Sequence, residues 1–220
     1  MYRYLLFDLD GTLTDPEEGI TKCVQYALRH FGIDVPAERL KCFIGPPLLE
    51  QFMEYAHFTR EQAEEALRQY RVRFSDVGIF ENRVLDGVPA MLAALKEDGR
   101  VLAVASSKPT VYVERILEKF GLRDFFTVVV GSELDGRRTK KKDVIEEVLT
   151  QLSYAGDRRD VLMIGDREHD ILGAKACGIA AMGVRFGFAA DGELEAAGAD
   201  LIADTPAHAA ALIRSADIIE

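Results

Sequence analysis

The chain has 220 residues, 48% of them hydrophobic and 29% charged, and a formal net charge of −10. That composition belongs to a folded globular protein and excludes wholesale disorder; the length allows one large domain, or one domain with an insertion, burying roughly 70% of the unfolded surface. The acidic balance argues against nucleic acid or an anionic membrane as partner, since both reward a basic patch, yet it leaves room for a small phosphate whose charge a metal or a lysine reverses locally.

The N-terminal segment Met1-Tyr2-Arg3-Tyr4-Leu5-Leu6-Phe7-Asp8 reaches an aspartate too soon for a secretion signal. The first strand is expected at Tyr4–Phe7. From about Asp15 to Glu81 helical spacing takes over, with no convincing strand. Helices are predicted at Ile20–Phe31, Leu48–Tyr55 and Glu61–Phe74. Thr59-Arg60-Glu61-Gln62 is a capping-box pattern opening the last, and Gly45-Pro46-Pro47 breaks the chain before the second. Residues 15–81 therefore read as a helical domain inserted after the first strand, with 1–14 and 82–220 forming the core domain.

Beyond the insertion, short β-rich runs at Val101–Ala105, Phe126–Val130, Val161–Ile164, Ala180–Val184 and, more weakly, Leu201–Ala203 alternate with helical segments. The helical segments are Pro89–Glu97, Val111–Phe120 and Asp143–Leu152. Continuous apolar strands imply burial on both faces. The alternation predicts an α/β fold, a doubly wound, Rossmann-like parallel sheet with right-handed crossovers. No apolar run reaches the ~18–20 residues that span a bilayer. Cys23, Cys42 and Cys177 are scattered without C-x-x-C spacing, which indicates neither a disulfide framework nor a zinc site and fits a reducing cytoplasm.

Four segments carry chemistry. Phe7-Asp8-Leu9-Asp10-Gly11-Thr12 follows the first strand; its two aspartates share one side of a strand end, and Gly11 permits a sharp turn. A strand-ending Asx turn is the plainer alternative. Gly165-Asp166-Arg167-Glu168-His169-Asp170 follows Val161–Ile164, and its aspartates, four apart, would share a face in a first helical turn. A capped helix start would look the same. Ala105-Ser106-Ser107-Lys108-Pro109 follows another apolar run, and a polar loop with a proline stop is the plainer alternative. In Arg138-Thr139-Lys140-Lys141-Lys142-Asp143 the lysines precede a helix start, where cations are disfavoured. Asp143 with Glu146 fits a capping arrangement there, and an acidic group is expected to hold one lysine.

In a doubly wound sheet, ligands bind outside the carboxyl ends of the strands. One crevice would then collect Asp8, Asp10, Ser106, Asp166 and Asp170. Four carboxylates at one place require a cation, and Mg²⁺ suits carboxylates together with a phosphate oxygen.

In these motifs the chain resembles the haloacid dehalogenase superfamily, and is similar to the phosphoglycolate phosphatase and 5′-nucleotidase-like branch of its small bacterial phosphatases. The resemblance covers essentially the whole chain, with residues 15–81 as the helical cap. It implies Mg²⁺-dependent hydrolysis of a small phosphomonoester through an aspartyl-phosphate. Asp8 would be the nucleophile and Asp10 the general acid and base. Ser106 and Lys141 would bind phosphoryl oxygens, with Lys140 and Lys142 as alternatives to Lys141 because the family's lysine–proline pair is absent. The metal would be held by Asp8, the backbone carbonyl of Asp10, Asp166 and Asp170. Gly11, Thr12, Ser107 and Lys108 would contact substrate, as would Gly45 and Pro46 in the cap segment Phe43–Leu48, which also reads as a plain helix–helix connection. An acid at Asp10 favours phosphate esters over halides, which need no proton. His169 is expected near the site without acid–base work, and His30, His57 and His208 at the surface.

The expected partner is a small phosphorylated metabolite, with no nucleic acid and no membrane, for a chain that is a monomer or weak homodimer. The rivals are a phosphosugar mutase on the same scaffold and a non-enzymatic Mg²⁺- and phosphate-binding module. The module needs neither Asp10 nor an insertion.

Overall fold

In the computed structural model, which describes residues 1–216, the first apolar run forms β1 (Tyr4–Phe7). The chain divides into two compact units: Met1–Thr14 together with the chain from Val84 on, and Asp15–Arg83. Where it passes between them, β2 (Thr14–Asp15) and β3 (Arg83–Val84) form a two-stranded sheet.

The second unit is helical. Its α1 (Glu17–His30) buries Ile20, Cys23, Val24, Ala27 and Leu28, the stripe that helical spacing demands. It starts three residues before the apolar periodicity does, because Asp15 Oδ1 accepts the Glu17 N–H at 3.0 Å and satisfies an otherwise orphaned donor. A 3₁₀ stretch over Ala37–Phe43 precedes α2 (Leu48–Ala56). The next helix, α3 (Arg60–Phe74), opens on the expected capping box: Thr59 Oγ1 accepts the Gln62 N–H and Gln62 Oε1 accepts the Thr59 N–H at 2.9 Å.

The first unit continues through α4 (Val88–Glu97), β4 (Val101–Pro109), α5 (Thr110–Lys119), β5 (Val128–Ser132), α6 (Lys141–Gln151) and β6 (Val161–Gly165). It ends with α7 (Glu168–Ala176), β7 (Ala180–Val184), α8 (Glu193–Ala197), β8 (Leu201–Ala203) and α9 (Pro206–Ser215). Six strands form one sheet in the order β5-β4-β1-β6-β7-β8, parallel at every pairing. This is the Rossmann-like α/β fold. Both faces are covered. Leu6, Ala103, Ala105 and Met163 pack with Val144, Ile145, Val148 and Ile171 of α6 and α7, while their alternates Leu5, Phe7, Leu102, Val104 and Ile164 are equally buried.

Two strands differ from their predicted spans by more than one residue. β5 begins at Val128 rather than Phe126, because a 3₁₀ turn over Arg123–Phe125 precedes it and the Phe126 ring packs edge-on against Phe7 at 6.1 Å. β4 runs four residues past Ala105, with an irregular register between Ala105 and Pro109. Among the described residues no helix is long and apolar enough to cross a membrane.

Candidate active site

The strand order reverses direction at β1, whose neighbours β4 and β6 lead to opposite halves of the sheet. Phe7 is in register with Val104 and with Ile164, so Asp8 and Asp166, just past β1 and β6, and Ser106, within β4, lie on adjacent strands at the same edge. The Asp8 N–H, donated to the Ile164 carbonyl at 2.9 Å, fixes that start. Asp8, Asp166 and Asp170 are buried, and each offers an oxygen within 4.8 Å of the others'. Lys141 Nζ lies 2.8 Å from Asp8 Oδ1, 2.7 Å from Asp170 Oδ1 and 2.8 Å from the Ala105 carbonyl. Lys140 and Lys142 are exposed; of the three lysines, the one at 141 is in the crevice.

Asp10 stands apart from the carboxylate trio. Its Oδ2 pairs with Lys108 Nζ at 2.7 Å, and its Oδ1 is buried without a hydrogen-bond partner. Ser106 is buried, and its Oγ accepts the Lys108 N–H at 3.3 Å. The Ser107 carbonyl accepts from Ser132 Oγ at 2.7 Å.

Burial governs the electrostatics. It raises the pKa of Asp166 well above the ordinary value, and Asp170 and Asp8 push it further. Burial also raises Asp170, against the opposing pull of Lys141. For Asp10 burial is again the largest cause; Lys108 opposes it, and Asp8 adds a smaller upward push. Burial works against the charge of Lys141, but Asp170 and Asp8 outweigh it and its pKa rises.

An acceptor-only cluster fits a hard divalent cation. Asp166 Oδ2 accepts the Phe188 N–H at 2.7 Å, which leaves Oδ1 buried and without a hydrogen-bond partner. Such an oxygen costs free energy unless something coordinates it. Asp8, Asp166 and Asp170 could therefore hold Mg²⁺.

Residues 5–184 match the model of the haloacid dehalogenase-like hydrolases. The chain belongs to this family. It is 50% identical over 196 residues to a 5′-nucleotidase of Pseudomonas aeruginosa, covering 89% of this chain and 88% of that one. It is 41% identical to the tyrosine-protein kinase PtkA of Mycobacterium tuberculosis over 84% of this chain, but only 63% of PtkA's length. A predicted phosphatase from Clostridium acetobutylicum has a similar structure, with a TM-score of 0.94 at 46% identity over 98% of this chain and 99% of that one. With that family and those phosphatase relatives, the chain is a phosphoric monoester hydrolase.

Gly11 and Thr12, expected on substrate, build the turn after β1: the Gly11 N–H goes to the Thr14 carbonyl at 2.7 Å, the Thr12 N–H to the Leu9 carbonyl, and the Thr12 side chain is fully buried. Gly11 has φ +81°, and a Cβ there would fall 2.0 Å from Asp166 Oδ2, so glycine is what admits that carboxylate. Asp166 and Asp170 do not share a helical face. The helix starts at Glu168, and Asp170 Oδ2 folds back to accept the Arg167 N–H at 3.1 Å. Asp143 does not cap α6: it lies in the first turn, as Lys141 and Lys142 also do, and the N-cap position is Lys140. Lys108, expected on substrate, lies at the same edge of the sheet and pairs with Asp10. Gly45 and Pro46 lie in the helical unit between the 3₁₀ stretch and α2.

Sequence reasoning missed three supports. Gly173 of α7 faces Lys141, whose Cβ and Cγ would lie 2.7 Å from an added Cβ. Gly187 presses on Asp166 at a comparable distance, and Phe188 supplies the N–H to it. The signal for the last two was a glycine just past the apolar run Ala180–Val184, at the sheet edge where the aspartate motifs also end.

Proposed function

We propose that this hydrolase cleaves small phosphomonoesters with Mg²⁺ in the cytoplasm, through an aspartyl-phosphate on Asp8. The observation that carries the reading is the buried cluster of Asp8, Asp166 and Asp170 with Lys141 between two of its members. Nucleoside monophosphates are the leading substrate class, supported by the 5′-nucleotidase relative; phosphoglycolate is the other class considered.

A carboxylate nearing a phosphate dianion at ~4 Å meets about 8 kcal/mol of repulsion at an effective dielectric near 20. Asp8 and Asp166, with Asp170 in support, would hold Mg²⁺, and the bound ion would supply the positive charge that offsets that repulsion. Lys141 holds the Asp8 carboxylate in place and offers its charge to the phosphoryl oxygens, and Ser106 Oγ offers them a donor. Asp10 gives a proton to the departing oxygen and then takes one from the water that opens the acyl phosphate. Its raised pKa suits the first task, and the ammonium of Lys108 steadies the carboxylate for the second.

The test is phosphate release, read with malachite green, across a panel of nucleoside monophosphates, phosphoglycolate and other small esters, with and without Mg²⁺. Release is expected with Mg²⁺ and not with a chelator. Asp8→Asn should abolish turnover of p-nitrophenyl phosphate; a variant that still turns it over removes the covalent route.

A further inference from the structure

Asp166 is held from two sides. Its own backbone leads through Arg167 into α7, while the loop after β7 brings Phe188 to its Oδ2. Glu193, the first residue of α8, joins those sides. Its Oε1 accepts from Arg167 Nε at 2.8 Å and from the Glu168 N–H at 2.9 Å, and its Oε2 accepts the Ala190 N–H at 2.9 Å. The side chain is only 12% exposed, and its charge-assisted bond from Arg167 is partly buried. Glu193 also lies outside residues 5–184, the segment that the family shares.

We infer that Glu193 is a positioning residue for Asp166: it clamps the loop over residues 187–190 to the start of α7, and so keeps the Phe188 N–H on Oδ2 and leaves Oδ1 for the ion. This rests on the reading of Asp8, Asp166 and Asp170 as a Mg²⁺ site. The coupling is steric as well as polar. A Cβ on Gly187 would fall 2.4 Å from Asp166 Cβ, so the loop backbone lies against the carboxylate and its displacement moves Asp166. Without Glu193, the donors of Arg167, Glu168 and Ala190 lose their shared acceptor, and the two walls around Asp166 separate. Glu193 accepts hydrogen bonds from these flanking groups and from none of the carboxylate trio. Its loss weakens the ion and spares the chemical step once the ion is bound.

The test is calorimetric titration of Mg²⁺ into the wild-type chain, Glu193→Ala and Glu193→Gln, without substrate. Glu193→Ala is expected to weaken Mg²⁺ binding about tenfold or more, the usual effect of removing a group that orients a ligand. Half-saturating Mg²⁺ in turnover should rise in parallel, with kcat at saturating Mg²⁺ within about threefold of wild type. Glu193→Gln keeps one acceptor oxygen and loses the charge, and should weaken binding measurably but less than Glu193→Ala does. If Glu193→Ala does not fold, Glu193→Gln carries the test. A folded variant with wild-type Mg²⁺ affinity, or one that loses kcat at unchanged affinity, overturns the inference. A wild-type chain that binds no Mg²⁺ overturns the metal reading itself, and Glu193 with it.

Discussion

Asp166 and Lys141 are buried ions with opposite accounts. Lys141 is matched on both sides by carboxylates and by a carbonyl, so its charge is satisfied inside the protein. Asp166 accepts one N–H and faces Asp8 and Asp170, like charges that push its pKa in the same direction as burial does. In the metal-free protein its ionised form therefore opposes folding. Asp166→Asn keeps the shape and the acceptor for Phe188 but removes the charge. The expected result is a Tm about 2–4 °C higher than wild type in a chelator, the equivalent of roughly 1 kcal/mol. The same variant should lose Mg²⁺-dependent turnover and any thermal shift with Mg²⁺. Differential scanning fluorimetry with and without the ion reads both; a lower Tm in chelator would mean that the carboxylate stabilises the fold as it stands.

At the scale of elements, the sequence was legible where one short-range rule decided the outcome. The capping box fixed the start of α3, and continuous apolar runs marked the strands on both sides of β1. It was illegible where one particular side-chain contact, near or distant in sequence, overrode the periodic pattern. Asp15 moves the start of α1, the Phe126 ring leaves the ladder for Phe7, and Asp170 turns back to Arg167 when it might have faced along the helix with Asp166. Gly173 is of the second kind: a glycine inside a helix looks like a weakness, yet it is where α7 admits Lys141 of α6. Gly173→Ala gains about 1 kcal/mol of helix propensity but forces the helices or the lysine to shift, at about 1–3 kcal/mol. The net loss is at most about 2 kcal/mol, so a Tm lower by up to about 4–8 °C is expected. The loss of kcat should be disproportionate, about tenfold or more, because Nζ moves off Asp8 and small misplacements cost catalysis heavily. Thermal unfolding and turnover on one preparation test this; wild-type kcat would show that Lys141 does not need the groove.

For the whole molecule, the alternation of strands and helices was enough to predict the parallel sheet, and the meeting of its motifs at one edge followed from that topology. The lysine at 141 was expected to be held by an acidic group; what pattern could not convey is that a second lysine, Lys108, balances Asp10 separately from the carboxylate trio. That balance gives the protein a pH signature. Asp166, Asp170 and Asp10 have pKa values raised above the unfolded range near 4. Between the unfolded and folded values the native state holds the extra protons, so stability falls as pH rises through the folded values. Carboxylates with lowered pKa, such as Glu81 beside Arg73 and Glu146 beside Arg158, act in the opposite sense, but only below the unfolded range. The Cys177 thiol, pushed up to about 12 by burial, acts only at high pH. From pH 5 to pH 8 the buried aspartates therefore dominate, and the metal-free protein should be more stable at pH 5. Mg²⁺ binds the ionised native cluster, and at a hundred times its Kd adds about 2.7 kcal/mol, or roughly 5–11 °C in Tm at pH 8, with far less at pH 5. Melting curves across that range, in chelator and in excess Mg²⁺, should diverge as pH rises; parallel curves would mean that the acidic cluster neither carries the charge nor takes the ion.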